Sequence, residues 1–299
     1  MDKLRAMDMF VRIVDGGSLT AAADALQTSL PSVVRTRAAL ERMLGVRLLH
    51  RTTRRIALTD EGREYYERCR QILAATDDAE AALSTRRVTP KGRMRVTAPV
   101  MFGRLHLAPL AMQFLAQHRA LQIELLLLDR VVDVLEEGVD VAIRIGALAD
   151  SSLVATSVGE TRRVVCASPA YLREAGAPRE PADLAAHRCV NFTGLVPGGE
   201  WLFATSRGAR RVPVRPVLAS NQIDVALDAC LQGVGIGQFL GYQVQALLDA
   251  KRLTRVLGEF EPDATAIHLI YPHARLLSTN VRAFVDWTVP RMRKRLAPR

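Results

Sequence analysis

The chain has 299 residues, 49% hydrophobic and 24% charged, with Lys and Arg outnumbering Asp and Glu 41 to 31 for a formal charge of +10. That length exceeds one ordinary core and predicts two or three domains; the composition is that of a globular protein, and the charge favours polyanionic partners without fixing a fold. No apolar run approaches the ~20 residues of a membrane helix, and the opening "MDKLRAMDMFVRIVDGG" lacks the features of a signal peptide, so a cytoplasmic protein with no membrane partner is expected.

Leu4, Met7, Phe10, Val11 and Val14 recur at helical steps up to Gly16-Gly17. Ser18 can cap a second helix, "LTAAADAL", whose small side chains admit a close neighbour. After the polar break "QTS", Ser29 can cap a third helix, "LPSVVRTRAALERML", with Pro31 tolerated in its first turn. Two short helices across a tight polar turn, at about residues 18–37, read as a helix-turn-helix, with Ser32, Arg35 and Thr36 on the exposed start of the second helix.

"VRLLH" and "RIALT" then read as strands flanking the turn "RTTR", a two-stranded basic wing. Arg35, Arg37, Arg42, Arg47, Arg51, Arg54 and Arg55 are opposed only by Glu41 between residues 35 and 55. Arg51, Arg54 and Arg55 suit phosphates, and Thr52 and Thr53 add neutral donors. Phosphate contacts supply affinity and register, whereas base edges supply sequence choice.

Thr59 can cap the next helix, with Asp60 and Glu61 complementing its positive dipole end. From residue 60 to about 86 it would be roughly 40 Å long. Tyr65, Cys69, Ile72, Thr76, Ala79 and Leu83 form a heptad-like seam along it. The seam predicts pairing with a second copy; the alternative is a helix packed on its own domain. "STRRVTPKG", residues 84–92, reads as a linker.

The segments "SLTAAADAL", "ALERMLGVRLLHRTTRRIALTDEG" and "REYYERC" make residues 1–95 resemble the winged helix-turn-helix of LysR-type transcriptional regulators. The resemblance implies double-stranded DNA as partner, read at a dyad-symmetric promoter site by a homodimer or homotetramer whose dimer contact is the long helix. It places Ser29, Leu30, Pro31, Ser32, Arg35 and Thr36 near the bases, beside Arg51, Thr52, Thr53, Arg54 and Arg55 of the wing. Three positions depart from the family: Leu30 where glutamine is frequent, Val34 where serine or threonine is, and Arg37 where an aliphatic residue is preferred. Val33, Leu40 and Leu44 define a buried stripe on which Arg37 falls. An unpaired buried guanidinium is costly, so its stem is expected to snorkel outward, and Arg37→Leu to raise the melting temperature.

From Arg93 onward strands and helices alternate. "RMRVTAP", "LQIELLLL" and "VDVAIRIG" read as strands and "RLHLAPLAMQFLAQH" and "VVDVLEEG" as helices, a parallel α/β pattern. A second set follows ("RRVVCAS", the helix after Pro169, "PADLAAH", "RCVNF", "EWLFA", "NQIDVALDACLQG"), and "AIHLIYP" with a final helix returns to the first set. "GRMRVTAPVMFGRLHLAPL" and "DVAIRIGALADSSLVA" extend the resemblance to the family's effector domain, which is similar to periplasmic solute-binding proteins. The fold class expected is therefore multidomain: an α-rich winged helix-turn-helix (1–59), a linker helix and hinge (60–92), and a two-lobed α/β effector domain (93–299). Lobe I would take about 93–161 and 266–299, lobe II about 162–265.

A small-molecule effector is expected between the lobes, at strand ends and helix starts. The positions are Ala98, Pro99, Val100, Met101 and Phe102 after the first strand, Ile145 and Gly146, Phe192 and Thr193, and Ser220, Asn221 and Gln222 before a helix. Free N–H groups at helix starts favour a carboxylate, and the scarcity of hydroxyls in "PVMF" points to a partly apolar or aromatic one.

No enzyme, cofactor or metal site is expected: the six histidines show no H-E-x-x-H or other metal spacing, and there is no G-x-S-x-G. "GVGIG", residues 233–237, lacks a nucleotide-loop spacing and reads as a turn at a lobe edge, and the basic end "PRMRKRLAPR" as a solvated helix. Cys69, Cys166, Cys189 and Cys230 form no C-x-x-C pair and fit free thiols in a reducing compartment. Two rival readings are a thiol-responsive regulator, with Cys166 and Cys189 on neighbouring strands, and a solute-binding protein with no role in transcription.

Overall fold

A computed structural model describes residues 2–50, 56–83, 89–148, 153–196, 198–206, 208–273 and 278–297. The chain divides into two compact units, residues 1–89 with 274–279, and 90–273 with 280–299.

The first unit is helical. α1 (Lys3–Gly16) is capped by the Asp2 carboxylate, which accepts the Arg5 N–H at 3.2 Å. α2 (Leu19–Ala25) is capped by Ser18, whose hydroxyl accepts the Ala21 N–H at 2.9 Å. α3 (Leu30–Leu44) follows Ser29, which is extended but makes no side-chain cap bond. α4 (Asp60–Leu83) completes the set. Met9, Phe10 and Ile13 of α1 meet Ala22, Ala23, Val33, Leu40, Leu48 and Leu49 in one core. The alanines of α2 let α1 and α3 approach it closely.

In the second unit the chain runs β1 (Gly92–Ala98), α5 (Val100–Phe102), a π-helical turn (Gly103–Leu107), α6 (Ala108–Gln117), β2 (Leu121–Leu127), β3 (Val141–Ile145) and β4 (Leu153–Thr161). It continues with β5 (Arg163–Ala167), α7 (Pro169–Ala175), β6 (Cys189–Phe192), β7 (Glu200–Thr205), β8 (Gly208–Pro213), β9 (Pro216–Ser220) and α8 (Ile223–Leu231). β10 (Ile236–Leu240), α9 (Gly241–Asp249), β11 (Thr254–Val256), β12 (Thr265–Pro272) and α10 (Thr279–Leu296) end it. Two five-stranded sheets result among the described residues, ordered β2-β1-β3-β12-β4 and β11-β5-β10-β6-β9, and β7 and β8 form a separate hairpin.

The sheets are mixed. β1 is parallel to β2 and β3, but β12 is antiparallel to β3 and β4. In the second sheet β10 is parallel to β6 and antiparallel to β5. The parallel order expected of the first set holds for β1, β2 and β3, and β12, returning to that sheet from the second, runs in the opposite sense. "VVDVLEEG" is also not a helix: residues 134–138 form a turn, tied by the Asp133 carboxylate accepting the Leu135 and Glu136 N–H groups at 2.9 and 3.0 Å. "GVGIG" is not at a lobe edge. It leads into β10, the middle strand of the second sheet, which the glycines hid from a pattern search.

β1, α6, β3, β12 and α10 bury one core, with Phe114 and Phe284 edge to face at 5.3 Å. The basic end of α10 is partly tied down. Arg291 stacks on Trp287 at 3.4 Å, and Arg293 and Arg295 donate to the Ser157 and Leu105 carbonyls at 2.8 and 3.2 Å.

His106, in the π-helical turn, lies 4.9 Å from the Phe102 ring and 5.8 Å from the Tyr242 ring. Burial, aided by the Arg295 charge, pushes its pKa down from 6.5 to about 4. The unfolded chain therefore binds a proton that the folded chain resists between those values, and stability falls as pH drops through that window. Unfolding free energies of the wild type at pH 7 and 5 should show this loss, and His106→Gln should remove the part due to the imidazole.

Candidate nucleic-acid interface and effector cleft

Val33 and Leu40 fix α3 to the core of the first unit, at 0% and 1% exposure. The opposite face starts with exposed Ser29, Leu30 and Pro31 and continues through Val34 and Arg35, with Ser32 and Thr36 half-buried beside them. The structure thus gathers the six predicted helix residues on the start of one helix, together with Val34.

Arg37 has a native partner. Its Nε lies 3.6 Å from Glu41 Oε2 on the next turn, an ion pair too long for a hydrogen bond, while Glu41 Oε1 accepts the N–H groups of Leu48 and Leu49 at 2.9 and 3.3 Å. The arginine sits on the apolar stripe because it neutralises a carboxylate that joins α3 to the base of the wing. This reverses the expectation from sequence: Arg37→Leu should lower the melting point of the first unit, by about 0.5 kcal/mol or roughly 2–4 °C for a unit of this size. Calorimetry checks the sign.

The wing has a paired stem. Leu49 and Leu58 form an antiparallel bridge, the His50 N–H donates to the Ala57 carbonyl at 2.9 Å, and the Thr59 N–H to that of Leu48 at 3.1 Å. The Thr59 hydroxyl donates to the Arg47 carbonyl at 2.7 Å and accepts the Gly62 N–H at 2.9 Å, capping α4 as its sequence suggests. Arg51, Thr52, Thr53, Arg54 and Arg55 lie outside the described residues.

The α4 seam divides. Cys69 is fully buried and Tyr65 packs beside it on the first unit's own core, Tyr65 lying 5.8 Å from the Phe10 ring. Both pack on their own unit, where α4 starts against α1. Ile72 is 42% exposed, and the Thr76 hydroxyl donates to the Ile72 carbonyl at 3.0 Å. Ala79 and Leu83 continue the helix, with side chains outside the described set.

In the second unit a cavity of about 170 Å³ opens where strands of both sheets end. Thr97, Ala98 and Pro99 line it from β1, Leu128 to Val132 from the loop after β2, and Ile143 to Ile145 from β3. Phe192, Gly194, Leu195, Leu240, Tyr242 and Gln243 line it from the second sheet's side. Of the predicted residues Ala98, Pro99, Ile145 and Phe192 reach it.

The others do not line it. The Val100 N–H is bound to Asp129 Oδ1 at 3.0 Å. Met101 and Phe102 are buried in the cores of the two sheets. The Gly146 N–H bonds the Ala266 carbonyl at 3.1 Å, and the Thr193 N–H that of Ser220 at 2.9 Å. Ser220, Asn221 and Gln222 make a turn before α8, where the Ser220 hydroxyl accepts the Gln222 N–H at 2.9 Å.

Sequence reasoning missed Asp129, Arg144 and Tyr242. Asp129 ends the apolar run "LLLLD", and Arg144 interrupts "VAIRIG"; a charge at the end of or within an apolar strand is the signal that finds both. Tyr242 follows the overlooked β10. Burial pushes the Asp129 carboxyl up against the pull of the Val100 N–H, and it also pushes the Tyr242 phenol up, with Asp129 adding to it.

The cysteines are all buried. Burial pushes Cys69 and Cys189 up to about 11 and Cys166 to about 12, and raises Cys230 as well. A reactive thiol needs the opposite shift. Cys166 and Cys189 are on β5 and β6, which are separated by β10, so they are not on neighbouring strands.

Comparisons with known proteins agree with this geometry. The family model described as "Bacterial regulatory helix-turn-helix protein, lysR family" matches residues 4–63, and that described as "LysR substrate binding domain" matches residues 87–293. An HTH-type transcriptional repressor of Pseudomonas aeruginosa is 37% identical over 97% of this chain and 92% of its own. The solved structure of CrgA, a LysR-type transcriptional regulator from Neisseria meningitidis, is 29% identical, with a TM-score of 0.63 over 96% of this chain and 98% of that one. That of AphB, a virulence activator of Vibrio cholerae, is 26% identical, with a TM-score of 0.61 over the same shares.

Proposed function

The chain belongs to the LysR family of bacterial transcriptional regulators, and from that premise we infer that α3 enters the major groove of a promoter while a small molecule in the cleft tunes the response. It is a DNA-binding regulator with an effector domain, and it acts by binding, not by catalysis. The observation that carries the reading is the division of α3 into a face locked by Val33 and Leu40 and a face presenting Leu30, Val34 and Arg35 outward. Ser29, Leu30, Pro31, Ser32, Arg35 and Thr36 meet base edges or nearby phosphates, and Arg51, Thr52, Thr53, Arg54 and Arg55 grip the backbone alongside.

Leu30 and Val34 cannot donate to base edges; they suit thymine methyls. Two copies joined through the exposed part of α4 present their helices to a dyad-symmetric site in the cytoplasm. Closure of the two lobes on an effector shifts the population of head arrangements and so the DNA affinity.

Footprinting on DNA upstream of the protein's own gene, with a salt titration, tests the reading. A protected dyad is expected. Diffuse, salt-sensitive binding with no protected site there would contradict it. Alanine at both Arg51 and Arg54 should weaken binding to all sequences alike and reduce the salt slope by about 2.

A further inference from the structure

The cavity's chemistry differs from the carboxylate-binding site expected from sequence. The Val100 N–H, the donor that would greet an acid at the end of β1, is already taken by Asp129 at 3.0 Å. The other Asp129 oxygen accepts no hydrogen bond from a described residue. Beside it the Tyr242 hydroxyl is buried with no partner in bonding geometry among the described residues, and the Oε1 of neighbouring Gln243 is occupied by the Leu240 N–H at 2.8 Å.

Of the two cations in the wall, Arg130 is held two-pronged by Glu137 at 2.7 Å, and Arg144 donates to the Val132 carbonyl, with burial pulling its pKa down against the weaker opposing pull of Asp133 and Glu137. The rest of the wall is largely apolar, including Ile143, Ile145, Phe192 and Leu240. An incoming carboxylate would meet the Asp129 charge in a half-desolvated place, whereas a donor would satisfy an open acceptor.

We propose that the cavity takes a small, mostly apolar effector that presents a hydroxyl or amino donor to Asp129 and Tyr242. This rests on the reading of the cavity as the effector site. The volume is close to the ~150 Å³ that accepts a benzene ring in an engineered core, so one-ring molecules are the right size.

Titration calorimetry on the full-length protein with benzylamine, benzyl alcohol and benzoate tests the proposal. Benzylamine and benzyl alcohol should bind, with benzoate weaker than benzylamine by roughly tenfold or more. Asp129→Asn keeps an acceptor for the Val100 N–H and should weaken benzylamine by roughly tenfold while leaving benzoate no worse. Benzoate equal to or tighter than benzylamine, no effect of Asp129→Asn, or no binding by any of the three would overturn the donor assignment. Ile145→Trp, which fills the cavity, separates the two levels: probe binding that survives it lies elsewhere, and the reading of the cavity itself fails.

Discussion

Glu41→Ala is expected to destabilise the first unit by about 3 kcal/mol and to weaken operator binding even though Glu41 belongs to the joint behind the reading face. Its Oε1 is the acceptor for the N–H groups of Leu48 and Leu49, residues only 0% and 6% exposed. A buried donor left without a partner costs about 1–3 kcal/mol, and two are orphaned here. Loss of the Arg37 ion pair adds a fraction of that, because the pair is partly open to solvent. Glu41→Gln is the control. Its amide oxygen still accepts both N–H groups, so only the small ionic part should go, within about 1 kcal/mol. Chemical unfolding of the two variants decides between the contributions: equal losses would mean the hydrogen bonds to the wing stem are unimportant.

Gly62→Ala should be as damaging, against the usual trend. In a helix, alanine is normally better than glycine by about 1 kcal/mol. A Cβ on Gly62, however, would fall 2.0 Å from the Leu48 carbonyl oxygen and 2.8 Å from its carbon. Those are backbone atoms of the wing stem, which cannot rotate away as a side chain could. The start of α4 must lift off the stem, weakening the Thr59 cap and the packing around Leu48. A loss of about 3 kcal/mol is expected, at the upper end for overpacking, with operator affinity falling roughly 100-fold. The melting transition of the second unit should stay where it is. Calorimetry and gel-shift titration read both, and a variant more stable than the wild type would refute the close approach.

The helices of the first unit were legible because they carry strong local signals. Ser18 and Thr59 cap where the sequence suggests, and the three- and four-residue steps of α1 follow its buried face. The role of Arg37 is not legible in the sequence, where Glu41 one turn away looks like a lone opposing charge. What makes Glu41 structural is its reach to Leu48 and Leu49, a tertiary fact. The heptad-like seam of α4 was ambiguous for a physical reason: Tyr65 and Cys69 have the spacing of any buried face, and spacing does not say whose core receives them.

In the second unit β1, β2, β3 and β12 stood out as apolar runs, while β10, entered through glycines and carrying Gln238, did not. The strand-end rule found Ala98 and Pro99. The same rule applied one strand later points to Asp129.

The place of β12 bears on how the protein is made. It lies between β3 and β4, so the first sheet cannot join its two parts until residues 265–272 exist. The second sheet uses only strands between Arg163 and Val256 and is complete sooner. A chain still on the ribosome therefore has every strand of its second sheet before it can close the first, and β3 and β4 stay apart, with the seats of Ile267 and Leu269 empty, until residues 265–272 emerge. Slow translation just ahead of residue 265 would lengthen the exposure of those open edges, and a chain ending there would carry a permanently unfinished sheet, a natural target for chaperones and proteases.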